Sequence, residues 1–236
     1  MGYSFHILLY SAITGNLLAF LEANRLGQLR TGATTAVAVK HLTRNPSAKI
    51  GMIGTGFQAM TQLEAVSKVQ EIQQVKVYSR NLENRLAFAH RASKALSLPV
   101  VAVHNYKTAV TDSDILILIA SNTEPIISGQ HLHPEALIIA AGPAKSGIQE
   151  LDEFAIKSVS QFAVDSLPQA GYEAGDINFA IDKGLLTWRQ VTELQTIISG
   201  KESWETMSGI SYIKLMGTGL ADIAAAKLAY DAVTKN

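Results

Sequence analysis

A glycine-rich turn is the first place in this chain where residue types and spacing could do chemistry. Gly54, Thr55, Gly56, Phe57, Gln58 and Ala59 form a G-x-G-x-x-A pattern between the apolar run "KIGMI" and the helical stretch "AMTQLEAVSKV". Gly54 permits a tight turn and Gly56 lets backbone approach a pyrophosphate. Ala59 lets the helix lie near a sheet while its N-terminal N–H groups face the phosphates. Strand, turn, helix and second strand in this order mark a dinucleotide site rather than a lone glycine turn. The second strand ends "VYSRN", where a carboxylate would take the ribose 2′-hydroxyl of NAD. Ser79 cannot act as that carboxylate, and Arg80 offers a planar cation suited to a 2′-phosphate, so NADP is expected ahead of NAD. The plain alternative for Arg80 is a solvated surface charge. Ser121 and Asn122 follow the fourth strand, at the carboxyl edge where such sheets bind ligands, and cofactor contact is expected there. Ala141, which ends the next strand, is grouped with them.

These residues need a scaffold, and the pattern of apolar runs supplies one. "KIGMIG", "QVKVYS", "LPVVAV", "DILILIA", "ALIIAAG" and "SVSQFAVD" read as strands, with "AMTQLEAVSKV" and "NRLAFAHRASKAL" as intervening helices. Buried runs alternating with helices predict an α/β fold, a Rossmann-type doubly wound parallel sheet. Ahead of it, "HILLYSAITGNLLAFLEA" predicts a β-hairpin turning at Thr14, Gly15 and Asn16. "LRTGATTAVAVKHLTRNP" predicts a small-residue helix, able to pack closely on another backbone, that Asn45 and Pro46 close. After the sheet, "TWRQVTELQTIISGK" and "GTGLADIAAAKLAYDAV" read as helices, the second with a small face at Ala221, Ala224, Ala225 and Ala229. The expected division is a dinucleotide-binding domain over 48–199 and a smaller α+β layer from 1–47 and 200–236, suited to self-association.

Composition narrows the partners. Lys plus Arg and Asp plus Glu both number 20, so no net field advertises a nucleic acid or an anionic membrane. The chain has no cysteine, which excludes disulfides and thiolate catalysis. No run approaches the ~20 apolar residues of a membrane span, and a soluble cytoplasmic protein is expected. His131 and His133 would share one face of a strand, but no further ligand completes a metal set, so no metal is expected. Glu173, Asp176 and Asp182 lie in a glycine-punctuated stretch and read as turn formers.

"EANRLGQLRTGATTAVAVKHL", "IGTGFQA", "VYSR" and "IKLMGTGLADIAAAKL" occur in the order and spacing of the ornithine cyclodeaminase and μ-crystallin family, which the chain resembles over essentially its whole length. That resemblance implies an NAD(P)-binding Rossmann domain joined to a dimerisation domain built from both chain ends. It implies nicotinamide-dependent interconversion of small amino and imino acids, as in cyclodeaminases, alanine dehydrogenases and ketimine reductases. Carried over by position, Arg30 looks like the arginine at the junction of substrate carboxylate and cofactor, a task that suits a guanidinium fork. Thr31 beside it would cap the helix or touch the cofactor. Two departures bear on catalysis. Family members usually carry an additional N-terminal region that supplies substrate-binding arginine and lysine residues, whereas this sequence starts at the hairpin that ordinarily follows it. In cyclodeaminases a loop after the fifth strand carries a catalytic aspartate, and "AAGPAKSGIQELD" places Ala144 there. An alanine relays no proton, which disfavours ornithine cyclodeamination and leaves imine reduction as the leading expectation. Lys145 is one position away, where a solvated lysine is the ordinary reading. A non-catalytic NADP(H)-binding relative is the remaining alternative.

Overall fold

The computed structural model describes residues 4–204 and 209–234; of the chain ends assigned to the smaller layer, residues 1–3, 205–208 and 235–236 lie outside the described residues. β1 (His6–Tyr10) and β2 (Leu17–Glu22) pair antiparallel, with Gly15 at φ +72° in the connecting turn, as the hairpin signal predicts. α1 (Asn24–Leu42) starts earlier than its apolar pattern suggested and ends before Asn45. β3 (Ser47–Ile53), α2 (Ala59–Val66), β4 (Glu71–Tyr78), α3 (Leu82–Leu96) and β5 (Val100–Ala102) build the first half of the sheet. α4 (Tyr106–Val110), β6 (Ile115–Leu118), β7 (Leu137–Ala140), α5 (Glu153–Ser158) and β8 (Val159–Val164) continue it.

The C-terminal third departs from the sequence reading in three places. The acidic residues read as turn formers are helical: Glu173 ends α6 (Leu167–Glu173), and Asp176 and Asp182 belong to α7 (Gly175–Asp182). The helix expected over "TWRQVTELQTIISGK" is instead a short 3-10 turn, a three-residue strand β9 (Val191–Glu193) and one helical turn α8 (Leu194–Ile198). Residues grouped with the outer layer include β10 (Ile210–Lys214), a strand of the main sheet. α9 (Gly219–Thr234) then closes the described chain.

Among the described residues, eight strands form one parallel sheet in the order β5-β4-β3-β6-β7-β10-β8-β9. The central strands are buried at every position, β6 as Ile-Leu-Ile-Leu and β7 as Leu-Ile-Ile-Ala, because helices cover both faces. One core lies on the side of α1, α2 and α3, and a second on the side of α4 to α7. The small-residue character of α1 has the use expected of it: a Cβ at Gly32 would collide with the carbonyl of Thr61, so the two helix backbones touch there. A third, small apolar cluster joins Ile7, Ala23 and Ala226, which brings the hairpin and α9 together beside the start of α1. Of the predicted alanine face of α9, Ala221, Ala225 and Ala229 are half-buried and Ala224 is exposed, while Ala226, beside that face, is the buried residue. No helix among the described residues is long and apolar enough to cross a membrane.

Candidate active site

The carboxyl ends of β3, β4 and β6 open on a cleft of about 860 Å3. Gly54, Thr55, Gly56, Ser79, Arg80 and Ser121 all line it, so six of the cofactor residues expected from sequence are brought together. Gly54 has φ +115°, and a Cβ there would lie 2.6 Å from the carbonyl of Ile119, so only glycine lets β3 end against β6. At Gly56 a side chain would meet no protein atom within 4 Å. The open space above Gly56 is what a diphosphate needs, and protein packing does not account for a glycine there. These features fit a dinucleotide laid across the switch between β3 and β6.

The lip of the cleft is fixed by local hydrogen bonds. Thr55 Oγ1 donates to Ser79 Oγ at 2.8 Å, tying the glycine turn to the end of β4. Arg85 Nη1 donates to the Ser79 carbonyl at 2.9 Å and its guanidinium stacks over Tyr78. Arg80 is exposed and makes no ion pair with any described residue. Gln28 Nε2 reaches from α1 to the carbonyl of Phe57 at 2.6 Å, which anchors the turn from the outer layer. Phe57 itself is exposed, and Gln58 occupies the N-cap of α2 with a buried Oε1 that has no hydrogen-bond partner among the described residues. Ala141 is packed in the core with its N–H on the Leu118 carbonyl, so only its own carbonyl remains for a ligand. Thr31 does not cap α1: it sits in the second turn and donates back to the Gly27 carbonyl at 2.7 Å.

Arg30 projects from α1 toward the carboxyl end of β10. Its Nε lies 2.7 Å from Asp222 Oδ1 on α9, an ion pair whose N–H direction falls short of a hydrogen bond. Its Nη1 end rests against Gly217. Asp165, at the end of β8, accepts N–H groups from Met216 and Gly217 at 3.2 and 2.8 Å and so holds that turn. Burial raises the Asp165 carboxyl above its ordinary range, against these hydrogen bonds and the charge of Arg30. Ala144 and Lys145 lie in the loop after β7, with Lys145 exposed.

One buried network was not foreseen. Lys214 Nζ on β10 pairs with Glu150 Oε2 at 2.7 Å, both side chains 1% exposed. Asp176, read from sequence as a turn former, accepts the N–H groups of Glu150 and Leu151 and the hydroxyl of Tyr212. Burial is the largest cause raising Glu150 to about 7, with Lys214 acting the other way. Burial also pushes the Tyr212 hydroxyl well above its usual range, so it stays a donor to Asp176. The Glu150 carbonyl accepts from Ile126 and Ile127, and Ile126 lines the cleft. Neither Glu150 nor Asp176 carries a local sequence signal of this, since their partners come from β10. His131 belongs to a 3-10 turn (Gly129–His131) rather than a strand, and stacks edge-on with Tyr106. Among the described residues no three His, Asp or Glu are grouped to hold a metal.

The model of the ornithine cyclodeaminase/mu-crystallin family matches residues 3–236. A Δ(1)-pyrroline-2-carboxylate reductase from Bacillus cereus is 34% identical over 220 residues, covering 92% of this chain and 67% of the relative. The Thermococcus litoralis Δ(1)-pyrroline-2-carboxylate reductase in complex with NADH and L-proline superposes with a TM-score of 0.92 at 33% identity, covering 98% of this chain and 72% of that one. An archaeal alanine dehydrogenase dimer with bound NAD gives a TM-score of 0.90 at 30% identity, over 99% of this chain and 72% of that one. The chain therefore belongs to the ornithine cyclodeaminase/mu-crystallin family.

Proposed function

We propose that this protein is an NAD(P)H-dependent reductase of a small cyclic imino acid of the Δ1-pyrroline-2-carboxylate type, yielding the corresponding amino acid. The observation that carries this reading is the likeness, over 98% of the chain, to a reductase whose structure holds NADH and L-proline. Gly54, Thr55 and Gly56 would hold the diphosphate, and Ser79 and Arg80 the adenosine ribose with its 2′-phosphate. The preference for NADPH rests on Arg80, while the similar structures hold NADH or NAD. The bound nicotinamide would supply the hydride. Arg30 would take the substrate carboxylate on its Nη edge and so aim the α-carbon. A ring imine entering as its iminium already carries the nitrogen-bound proton, so hydride addition to the C=N carbon completes the amine. This asks nothing of Ala144, where cyclodeamination would ask for an acid. A homodimer formed through α9 and the hairpin is part of the same reading, because both expose large apolar side chains. Absorbance at the nicotinamide band, with Δ1-pyrroline-2-carboxylate and either NADPH or NADH, tests it. Imine-dependent oxidation of the cofactor with L-proline as product is expected; cofactor binding with no oxidation across a panel of cyclic imines would move the protein to the non-catalytic reading.

A further inference from the structure

Arg30 is held from two sides by residues that no substrate needs to touch. Asp222, in the first turn of α9, sits 2.7 Å from Nε, and the two side chains are 19% and 17% exposed for Arg30 and Asp222. On the other side the guanidinium occupies the space a side chain at position 217 would fill, since a Cβ there would lie 2.5 Å from Nη1. Gly217 has φ +85° and its turn is pinned three times: by Asp165 on the N–H groups of Met216 and Gly217, and by Gln169 Nε2 on the Gly217 carbonyl at 2.9 Å. Among the described residues nothing accepts a hydrogen bond from Nη1 or Nη2, while Nε is buried. The ion pair therefore uses the one edge of the guanidinium that a bidentate carboxylate does not require and leaves the other edge presented.

We propose that Asp222 is a positioning residue for imino acid binding: it orients Arg30 so that the Nη edge meets the substrate carboxylate, making the C-terminal helix part of the substrate site. This rests on the reading of Arg30 given above. An arginine stem carries considerable rotamer freedom, and a site that has already fixed the side chain loses less on binding. The same carboxylate also offsets part of the guanidinium charge, which gives the opposite result if orientation is not what matters. A carboxylate that competed with substrate would weaken binding, and its removal would lower KM.

The test is steady-state kinetics of the full chain with Δ1-pyrroline-2-carboxylate, comparing wild type with Asp222→Asn and Asp222→Glu, alongside fluorescence titration of NADPH. Asp222→Asn should raise the imino acid KM by roughly tenfold or more while kcat falls less than about threefold. NADPH affinity should hold within about twofold, because the cleft is lined by other residues. Asp222→Glu should recover part of the lost KM, and serves as the test should the asparagine variant fold poorly. An unchanged KM in both variants, or a lowered one in Asp222→Asn, overturns the proposal while leaving the reductase reading intact. A wild type that neither reduces nor binds any imino acid overturns the proposed function, and this inference falls with it.

Discussion

Ser79 and Arg80 stand side by side at the lip of the cleft with different work to do. Ser79 is engaged with Thr55 and with the backbone of Asn81, whereas Arg80 is exposed beside the space where a ribose would lie. If Arg80 reads a 2′-phosphate, Arg80→Ala should raise KM for NADPH by about tenfold, worth roughly 1.4 kcal/mol, and change KM for NADH by less than about twofold. An equal effect on the two coenzymes in initial-rate measurements would return Arg80 to a plain surface charge. Residues of this kind are legible in sequence because their neighbours are close in the chain: the glycine turn and the end of β4 are one strand-helix-strand unit. The capping role expected of Thr31 fails because its helix begins at Asn24, not at the first small residue, and inside the helix its hydroxyl turns back on the Gly27 carbonyl. Asp176 and Asp222 could not be read, since what gives each a role is a partner brought by folding from a remote element.

Among the elements, β10 was the hardest to see and has the widest consequences. Its five residues include Ser211, Tyr212 and Lys214, so it lacks the unbroken apolar run that exposed β6 and β7, yet all five are buried. Lys214 is tolerated in the sheet because Glu150 meets it, and Asp176 and Tyr212 complete the cluster. Such a network links β10 to α7 and to the loop that carries the cleft wall at Ile126, and it makes folding depend on pH. Glu150 rises from an ordinary 4.5 to about 7, chiefly through burial. Between those values the folded chain keeps a proton that the unfolded chain has released. The contribution of Glu150 is therefore complete below the lower value and is lost as pH rises through the upper one. Its size is at most roughly 3–4 kcal/mol. Urea midpoints measured from pH 5 to 8 should fall less steeply in Glu150→Gln combined with Lys214→Met, a pair of changes that removes both charges together, than in wild type. Parallel slopes would show that this cluster does not set the dependence.

For the whole molecule, the surface raises a question that one copy of the chain does not answer. Leu220 and Leu228 are 78% and 73% exposed on α9, and Ile13 and Phe20 are 97% and 64% exposed on the hairpin. Large apolar side chains gathered on one layer ask for a partner, and a second copy offers the same surface. Light scattering should give a dimer mass for the wild type and a monomer mass for Leu220→Glu with Leu228→Glu; a monomeric wild type would contradict the dimer. The hairpin and α9 were legible in sequence as separate elements, and they meet at Ile7, Ala23 and Ala226; which apolar side chains of α9 stay exposed depends on that packing and could not be read from the alanine pattern. Whether the molecule does what its cleft and relatives point to can be asked in one step. NADPH carrying deuterium at the transferable C4 position is mixed with the protein and Δ1-pyrroline-2-carboxylate, and the proline formed is examined by mass spectrometry. Deuterium at its α-carbon is the predicted result. No proline, or proline formed without the label by the stereochemically matched coenzyme of either C4 configuration, would contradict hydride transfer at this site.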